Sequence, residues 1–159
     1  MNTQIRHKPS TITIRPALWA DKSRLLAMIG DLSRHHGEAA TLDLPALVHL
    51  LKADMPWLKL LVAEQDGQLV GYAGVTGGMR LQFGERVMDL HHLFVDEAHR
   101  GRGIGRALIN ASHDLARTLG CGRITVGTMT TNIAAQKAYV ACGFVPVPMT
   151  GKRFSMAVA

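Results

Sequence analysis

The residues best suited to chemistry form a short run in which glycine alternates with other residues. The run is Arg100-Gly101-Arg102-Gly103-Ile104-Gly105-Arg106; it follows the apolar segment Leu93-Phe94-Val95 and leads into a helical pattern. A glycine-rich turn at the start of a helix leaves backbone N–H groups available to an anion, and the helix dipole adds partial positive charge. Glycine lets a phosphate approach closely, and arginine adds cationic donors. The run therefore predicts a pyrophosphate-binding turn; the alternative is a tight glycine turn with solvated arginines.

The spacing of the glycines separates this turn from two common phosphate-binding motifs. No Gly-Lys-Ser/Thr triplet ends it, so it is not a Walker loop. Glycines at 101, 103 and 105 also differ from the Gly-x-Gly-x-x-Gly pattern of dinucleotide-binding folds. The other positive charges are scattered along the chain, which favours one focused anion site over a broad nucleic-acid surface.

Two sequence patterns in register resemble one protein family. The first is Arg/Gln-x-x-Gly-x-Gly/Ala after an apolar strand, matched here by Arg100, Gly103 and Gly105. The second is Asn-x-x-Ala-x-x-x-Tyr-x-x-x-Gly-Phe, formed by Asn132, Ala135, Tyr139, Gly143 and Phe144. With their spacing and the order of strands from residue 11 onward, they resemble the GCN5-related N-acetyltransferases (GNAT) over nearly the whole chain. The resemblance implies an enzyme that transfers an acetyl group from acetyl-CoA to a primary amine by direct attack in a ternary complex.

The resemblance also implies roles for individual positions. Backbone groups of Leu93 and Val95, on either side of Phe94, are expected to pair with the pantetheine arm, and N–H groups of the run 100–106 to hold the pyrophosphate. Asn132 and Ala135 are expected to contact the cofactor, although a plain helix cap also explains Asn132. Tyr139 stands where the family has a general acid for the departing thiolate; the alternative is a hydrogen-bonded core tyrosine.

The group that accepts the proton of the amine is expected on the strand just before Leu93. Period-two alternation puts Asp89 and His91 on one face of this strand and His92 on the other. His91 or Asp89 is the candidate base, directly or through water, because imidazole titrates near neutral pH. The alternative is a pair of hydrogen-bonded core histidines. No metal site is expected, since adjacent histidines of a strand point to opposite faces.

The family builds its acceptor site from the first two helices, the loop between them and nearby strand ends. By resemblance this site involves His35, His36, Glu38 and Tyr72, with Arg80 as a further candidate. A small-molecule amine is the first choice and the amine of a peptide or protein the second. A basic nucleic-acid-binding module is a remote alternative, disfavoured by the focused arginines and by an aromatic content of 5%. An acyl-CoA sensor without turnover is a further alternative, which the presence of Tyr139 disfavours.

Composition agrees with a globular chain. It has 159 residues, 47% of them hydrophobic and 19% charged, with a net charge of +6, which predicts a single domain over 1–159. No run is long and apolar enough for a membrane helix, and the first fifteen residues lack the apolar core of a secretory signal. Cys121 and Cys142 lack metal-type spacing and are expected to be small buried hydrophobes in a cytoplasmic protein. Dimers are common in the resembled family, which allows for a homodimer.

Apolar periodicity predicts the elements that position these residues. Strands are expected at 11–15, 58–64, 69–76, 87–95 and 123–126, with closing strands at 144–147 and 152–158. Asp66-Gly67 predicts a hairpin between the second and third strands, and a loop is expected between Gly77 and Gly84. Helices are expected at 18–32, 43–53, 104–119 and 132–142. The prediction is an α/β (α+β layered) GNAT fold with a mixed, mostly antiparallel central sheet of six to seven strands and about four flanking helices.

Overall fold

The structure is a computed structural model that describes residues 11–51, 58–148 and 151–158. The predicted end of the second helix at 52–53 lies outside these residues, as does most of the segment searched for a secretory signal. The strands are β1 (Ile12–Pro16), β2 (Leu58–Gln65), β3 (Gln68–Arg80), β4 (Glu85–Val95) and β5 (Arg123–Val126). The helices are α1 (Lys22–His35), α2 (Leu44–Leu51), α3 (Ile104–Thr118) and α4 (Ile133–Ala141). No helix in the described part of the chain is long and apolar enough to cross a membrane.

The sheet has its strands in chain order, β1-β2-β3-β4-β5. Neighbouring strands are antiparallel, except that β4 and β5 run parallel. Tyr72 and Phe94 pack with Leu25 and Met28 of α1 on one face. The opposite face packs against α3, since a Cβ at Gly71 would lie 3.4 Å from the Leu108 side chain. The mixed, layered α/β fold and its four helices are as predicted.

Local sequence signals explain the connections. The β2–β3 hairpin turns at Asp66 (φ 52°) and Gly67 (φ 77°), as predicted from the Asp-Gly pair. Gly37 adopts a φ of 75° just after α1, where left-handed backbone favours glycine. Asp43 Oδ1 accepts the Ala46 N–H at 2.8 Å and caps α2. Gly37 and the Asp43 cap lie at the two ends of the loop between α1 and α2, and the hairpin turn holds β3 beside β2.

Two predictions about the sheet are wrong. The loop expected between Gly77 and Gly84 is strand in its first half, because β3 continues to Arg80, which pairs with Glu85 at the start of β4. The closing strands expected at 144–147 and 152–158 are absent from the described residues, so the sheet there has five strands rather than six or seven. Alternating apolar residues do not make a strand without a hydrogen-bonding partner. Val145, Val147, Phe154 and Met156 are instead largely exposed.

The chain divides into two compact units. The larger unit ends at Gly127 and holds the sheet with α1, α2 and α3; the smaller begins at Thr128 and holds α4. Within the larger unit, Arg15 donates to Asp21 at 2.7 Å and to Glu64 at 2.5 Å, joining β1, β2 and the turn before α1. This network fixes the start of α1 against the edge of the sheet.

Candidate functional site

The Arg-Gly turn (residues 100–106) has the backbone that its glycines predict. Gly101 and Gly103 adopt φ values of 74° and 82°, in the left-handed region that glycine tolerates best. Gly103 is the N-cap of α3 and has no side chain with which to cap it. The first N–H groups of the helix, from Ile104 onward, therefore point out of the helix start without an intrahelical partner. Such a turn suits an anion.

The space around the turn fits a phosphate that approaches the backbone. A Cβ added at Gly101 or Gly103 would meet no other protein atom within 4 Å. A Cβ at Gly105 would lie 3.9 Å from Val95 Cγ2, which is an ordinary van der Waals contact. The protein itself therefore has no steric need for glycine at 105. Arg102 and Arg106 are exposed beside this space, and Arg100 Nε donates to the Val95 carbonyl at 3.0 Å.

The end of β4 offers an open backbone edge next to the turn. β5 pairs with Val87–Leu90 of β4, and no described strand pairs with that side of β4 beyond Leu90. Asp96 N–H donates to the Val70 carbonyl of β3 at 2.9 Å. Because backbone groups alternate in direction along an antiparallel pair, those of Leu93 and Val95 face away from β3. The positions expected to pair with pantetheine thus lie on the open edge, and Phe94 faces the core.

The histidines of β4 occupy a β-bulge. Gly74 pairs with His92 and Val75 with Leu90, so His91 is an extra residue in the ladder. The His91 and His92 rings stack with centroids 4.6 Å apart and planes 12° apart. The prediction that these side chains point to opposite faces is wrong, because the bulge interrupts the alternation. Among the described residues no group of three or more His, Cys, Asp or Glu side chains is placed to hold a metal ion.

The two candidate bases lie close together. His91 Nδ1 is 3.9 Å from Asp89 Oδ2, and their side chains are 63% and 45% exposed. Thr125 Oγ1 of β5 donates to Asp89 Oδ1 at 2.8 Å. Asp89 is thus held by β5 while its second oxygen faces the imidazole. A carboxylate beside an exposed imidazole can accept and pass on a proton.

His92 interacts with several of the predicted acceptor residues. The Tyr72 hydroxyl is 3.0 Å from His92 Nδ1, and the tyrosine is completely buried. Burial lowers the pKa of His92; the charges of His91 and His36 act in the same direction and that of Glu38 opposes them. His92 was expected only as a member of a core pair, and its interaction with these residues was not predicted. Glycine at 74 within a strand was the available signal, because such a glycine often marks a bulge.

The outlying acceptor candidates differ in their placement. The His35 ring is 5.8 Å from that of His36, which keeps it beside the group around His92. Arg80 is six residues further along β3 than Gly74, or about 20 Å at the usual strand rise. It pairs with Glu85 at 2.9 Å and lies over the Phe83 ring. The structure does not bring Arg80 to the acceptor residues.

The smaller unit contains the second sequence pattern. Asn132 Oδ1 accepts the Ala135 N–H at 3.1 Å, so Asn132 caps α4 as the alternative interpretation expected. The Tyr139 ring makes an edge contact with Phe144 at 5.9 Å. Burial raises the pKa of Tyr139, which keeps the phenol protonated at neutral pH. Cys121 in the larger unit and Cys142 here are both partly buried thiols.

Two acetyltransferases are similar in sequence to part of this chain. N-acetyltransferase 8 of Homo sapiens is 33% identical over 93 residues, which are 58% of this chain and 40% of that protein. An L-methionine sulfoximine/L-methionine sulfone acetyltransferase of Salmonella typhimurium is 33% identical over 98 residues, 60% of this chain and 57% of that protein. The chain spans about half the length of these relatives.

Fold comparison and a family profile agree with the sequence patterns. The structure of an aminoglycoside N-acetyltransferase in complex with CoA matches with a TM-score of 0.78 and 22% identity, covering 94% of this chain and 98% of that one. At this identity the likeness concerns the fold alone. A sequence profile of the Acetyltransferase (GNAT) family matches residues 26–144, well over half of the chain. The chain therefore belongs to the GNAT family of acetyltransferases, which use acetyl-CoA.

Proposed function

We propose that this enzyme transfers the acetyl group of acetyl-CoA directly to the primary amine of a small molecule. The observation that carries the proposal is the open edge of β4, which ends at a glycine turn with unpaired helix N–H groups. A relative in Salmonella typhimurium named for L-methionine sulfoximine and L-methionine sulfone supports a small acceptor.

Residues of the larger unit account for binding of the donor. Leu93 and Val95 present backbone groups to an extended pantetheine chain, and the first N–H groups of α3 bind the pyrophosphate with Arg102 and Arg106 beside them. When bound, acetyl-CoA supplies an activated thioester. A backbone N–H at the open edge is a suitable donor to the negative charge that develops on a carbonyl oxygen.

Proton transfer is assigned to three side chains. Asp89 and His91 act as a pair that takes one proton from the attacking amine, because only a neutral amine is nucleophilic. Tyr139 holds its proton at neutral pH and is assigned, from the family pattern, to donate it to the leaving sulfur. Asn132 and Ala135 keep their expected place beside the cofactor in this proposal. No covalent enzyme intermediate is needed, so neither cysteine takes part.

The test is thiol release from acetyl-CoA with two matched panels of acceptors, one of small amines and one of short peptides. We expect amine-dependent release with small amines and little with peptides. Turnover confined to peptides would replace the small-molecule proposal by protein modification, and no release with any amine would refute the enzyme assignment.

A pair of variants connects this assay with the site. Asp89→Asn should lower turnover at saturating substrates, because the carboxylate beside His91 is lost. The matched control is Asp114→Asn, which removes an exposed carboxylate of α3 that pairs with Arg117. Equal rates in the two variants would remove Asp89 from the mechanism.

A further inference from the structure

The hydrogen bond between Tyr72 and His92 determines which nitrogen of the imidazole carries a proton. Tyr72 is completely buried, and in the described part of the chain its hydroxyl has one hydrogen-bond partner, His92 Nδ1 at 3.0 Å. A buried hydroxyl left without an acceptor is costly, so the Tyr72 O–H donates and Nδ1 accepts. In neutral His92 the proton must then be on Nε2. His92 is therefore a hydrogen-bond donor at its outer nitrogen and not a base there.

The two histidines of the stack therefore have different roles. His91 is 63% exposed and faces Asp89, which suits it to accept a proton. His92 lies 4.6 Å away in the stack, and burial together with the charges of His91 and His36 keeps it neutral. Two rings at this spacing can contact two groups on a single carbon atom. One of these groups gives up a proton, and the other accepts a hydrogen bond.

We propose that His92 Nε2–H binds the carboxylate of the acceptor, and that the acceptor is an α-amino acid whose amine lies at His91. This inference rests on the proposed function and specifies its substrate class. The carboxylate beside the proposed amine position is Asp89. At His92, the charges of His91 and His36 oppose that of Glu38. A polyamine would require a second carboxylate where His92 presents an N–H donor. A neutral N–H donor beside an Asp–His pair instead matches a molecule that carries both a carboxylate and an amine.

The experiment compares each amino acid with the amine formed by removing its carboxylate. Suitable pairs are L-methionine with 3-(methylthio)propylamine, and L-phenylalanine with 2-phenylethylamine. We expect kcat/KM to be at least tenfold higher for the amino acid of a pair. In His92→Phe, which retains a ring for stacking, that ratio should fall toward one, mainly because KM for the amino acid rises. His92→Gln, which retains an N–H donor of similar reach, should keep more of the ratio than His92→Phe.

Two controls separate this role from a structural one. His113→Phe makes the same substitution at an exposed histidine of α3 and should leave the ratio as in the unaltered enzyme. The His92 tautomer can be measured without activity, by long-range 1H–15N NMR spectra of the unaltered protein. We expect protonated Nε2 and unprotonated Nδ1, and a proton on Nδ1 would overturn the proposal even if His92→Phe did not fold.

The outcomes distinguish this inference from the proposed function. Acetylation of small amines with no preference for amino acids, or with an unchanged ratio in His92→Phe, refutes the role of His92 and leaves the enzyme assignment standing. An equal loss of kcat/KM for both members of a pair in His92→Phe would also refute it, because His92 Nε2–H would then act on a group that both acceptors share. Absence of acetylation with every amine refutes the proposed function itself.

Discussion

Replacing Gly103 by alanine tests whether the Arg-Gly turn binds a phosphate group. Gly103 is the N-cap of α3 with a φ of 82°, and an added Cβ would meet no other protein atom within 4 Å. The methyl group would therefore project into open space at the start of α3 without a clash within the protein. If the pyrophosphate of acetyl-CoA occupies this space, the methyl group must displace it.

The change should lower both stability and affinity, for separate reasons. A left-handed backbone costs a residue other than glycine about 1–2 kcal/mol, so Gly103→Ala should lower Tm by about 2–8 °C. Affinity for acetyl-CoA should fall at least tenfold, which corresponds to about 1.4 kcal/mol. Gly103→Val should also weaken binding at least tenfold, because a branched side chain would occupy the place of the phosphate.

The assay is isothermal titration calorimetry of acetyl-CoA, with a thermal melt of each variant. Gly120→Ala is the matched control: Gly120 has a φ of 71° just past the other end of α3, and its added Cβ would also meet no other protein atom within 4 Å. The control should show a similar fall in Tm and bind acetyl-CoA as the unaltered protein does. A folded Gly103→Ala protein with an unchanged Kd would refute the assignment of the turn.

Three further predictions concern catalysis and stability. Tyr139→Phe should lower turnover and leave Kd for acetyl-CoA nearly intact; full turnover at saturating substrate would remove Tyr139 from the mechanism. Asp21 accepts two N–H groups of Arg15, which lower its pKa, so Asp21→Asn should cost about 2 kcal/mol, measured by urea unfolding at pH 7. Because that pKa is depressed on folding, the contribution is full above the ordinary value of the carboxyl and is lost as pH falls below it; an Asn variant with an unchanged acid-unfolding profile would contradict this. The pKa of His92 is also depressed, so the fold should lose stability as pH falls below about 6.5, and His92→Phe should flatten that dependence in melts from pH 5 to 8.

Local signals predicted much of the fold and the donor site. The Asp-Gly hairpin, the strand at 123–126 and the glycine turn at the start of α3 all depend on residues adjacent in sequence. Each of these features needs a backbone conformation that one or two residue types strongly prefer. The resemblance of the two sequence patterns to the GNAT family then indicated acetyl-CoA as the acetyl donor.

The acceptor side was harder to predict because its geometry depends on pairing between distant residues. The bulge that stacks His91 on His92 arises where Gly74 of β3 meets β4, and alternation along β4 alone gives the opposite arrangement. Tyr72 was expected to contact substrate, but it is completely buried and reaches the site through His92. The two closing strands, which the described residues do not form, have the same cause, since apolar alternation at 144–147 and 152–158 cannot supply a partner strand.

Mass spectrometry of a single-turnover reaction distinguishes direct transfer of the acetyl group to a small amine from transfer through the protein. The enzyme, in excess over acetyl-CoA with an isotope-labelled acetyl group, is mixed with the amine that gives the fastest thiol release in the acceptor panels, and the masses of both product and intact protein are measured. We predict that the label is on the nitrogen of that amine and that the protein carries none at any time point. Label held on the protein, at Cys121, Cys142 or elsewhere, before it reaches the amine would contradict direct attack, and label found only as free acetate would contradict the transferase itself.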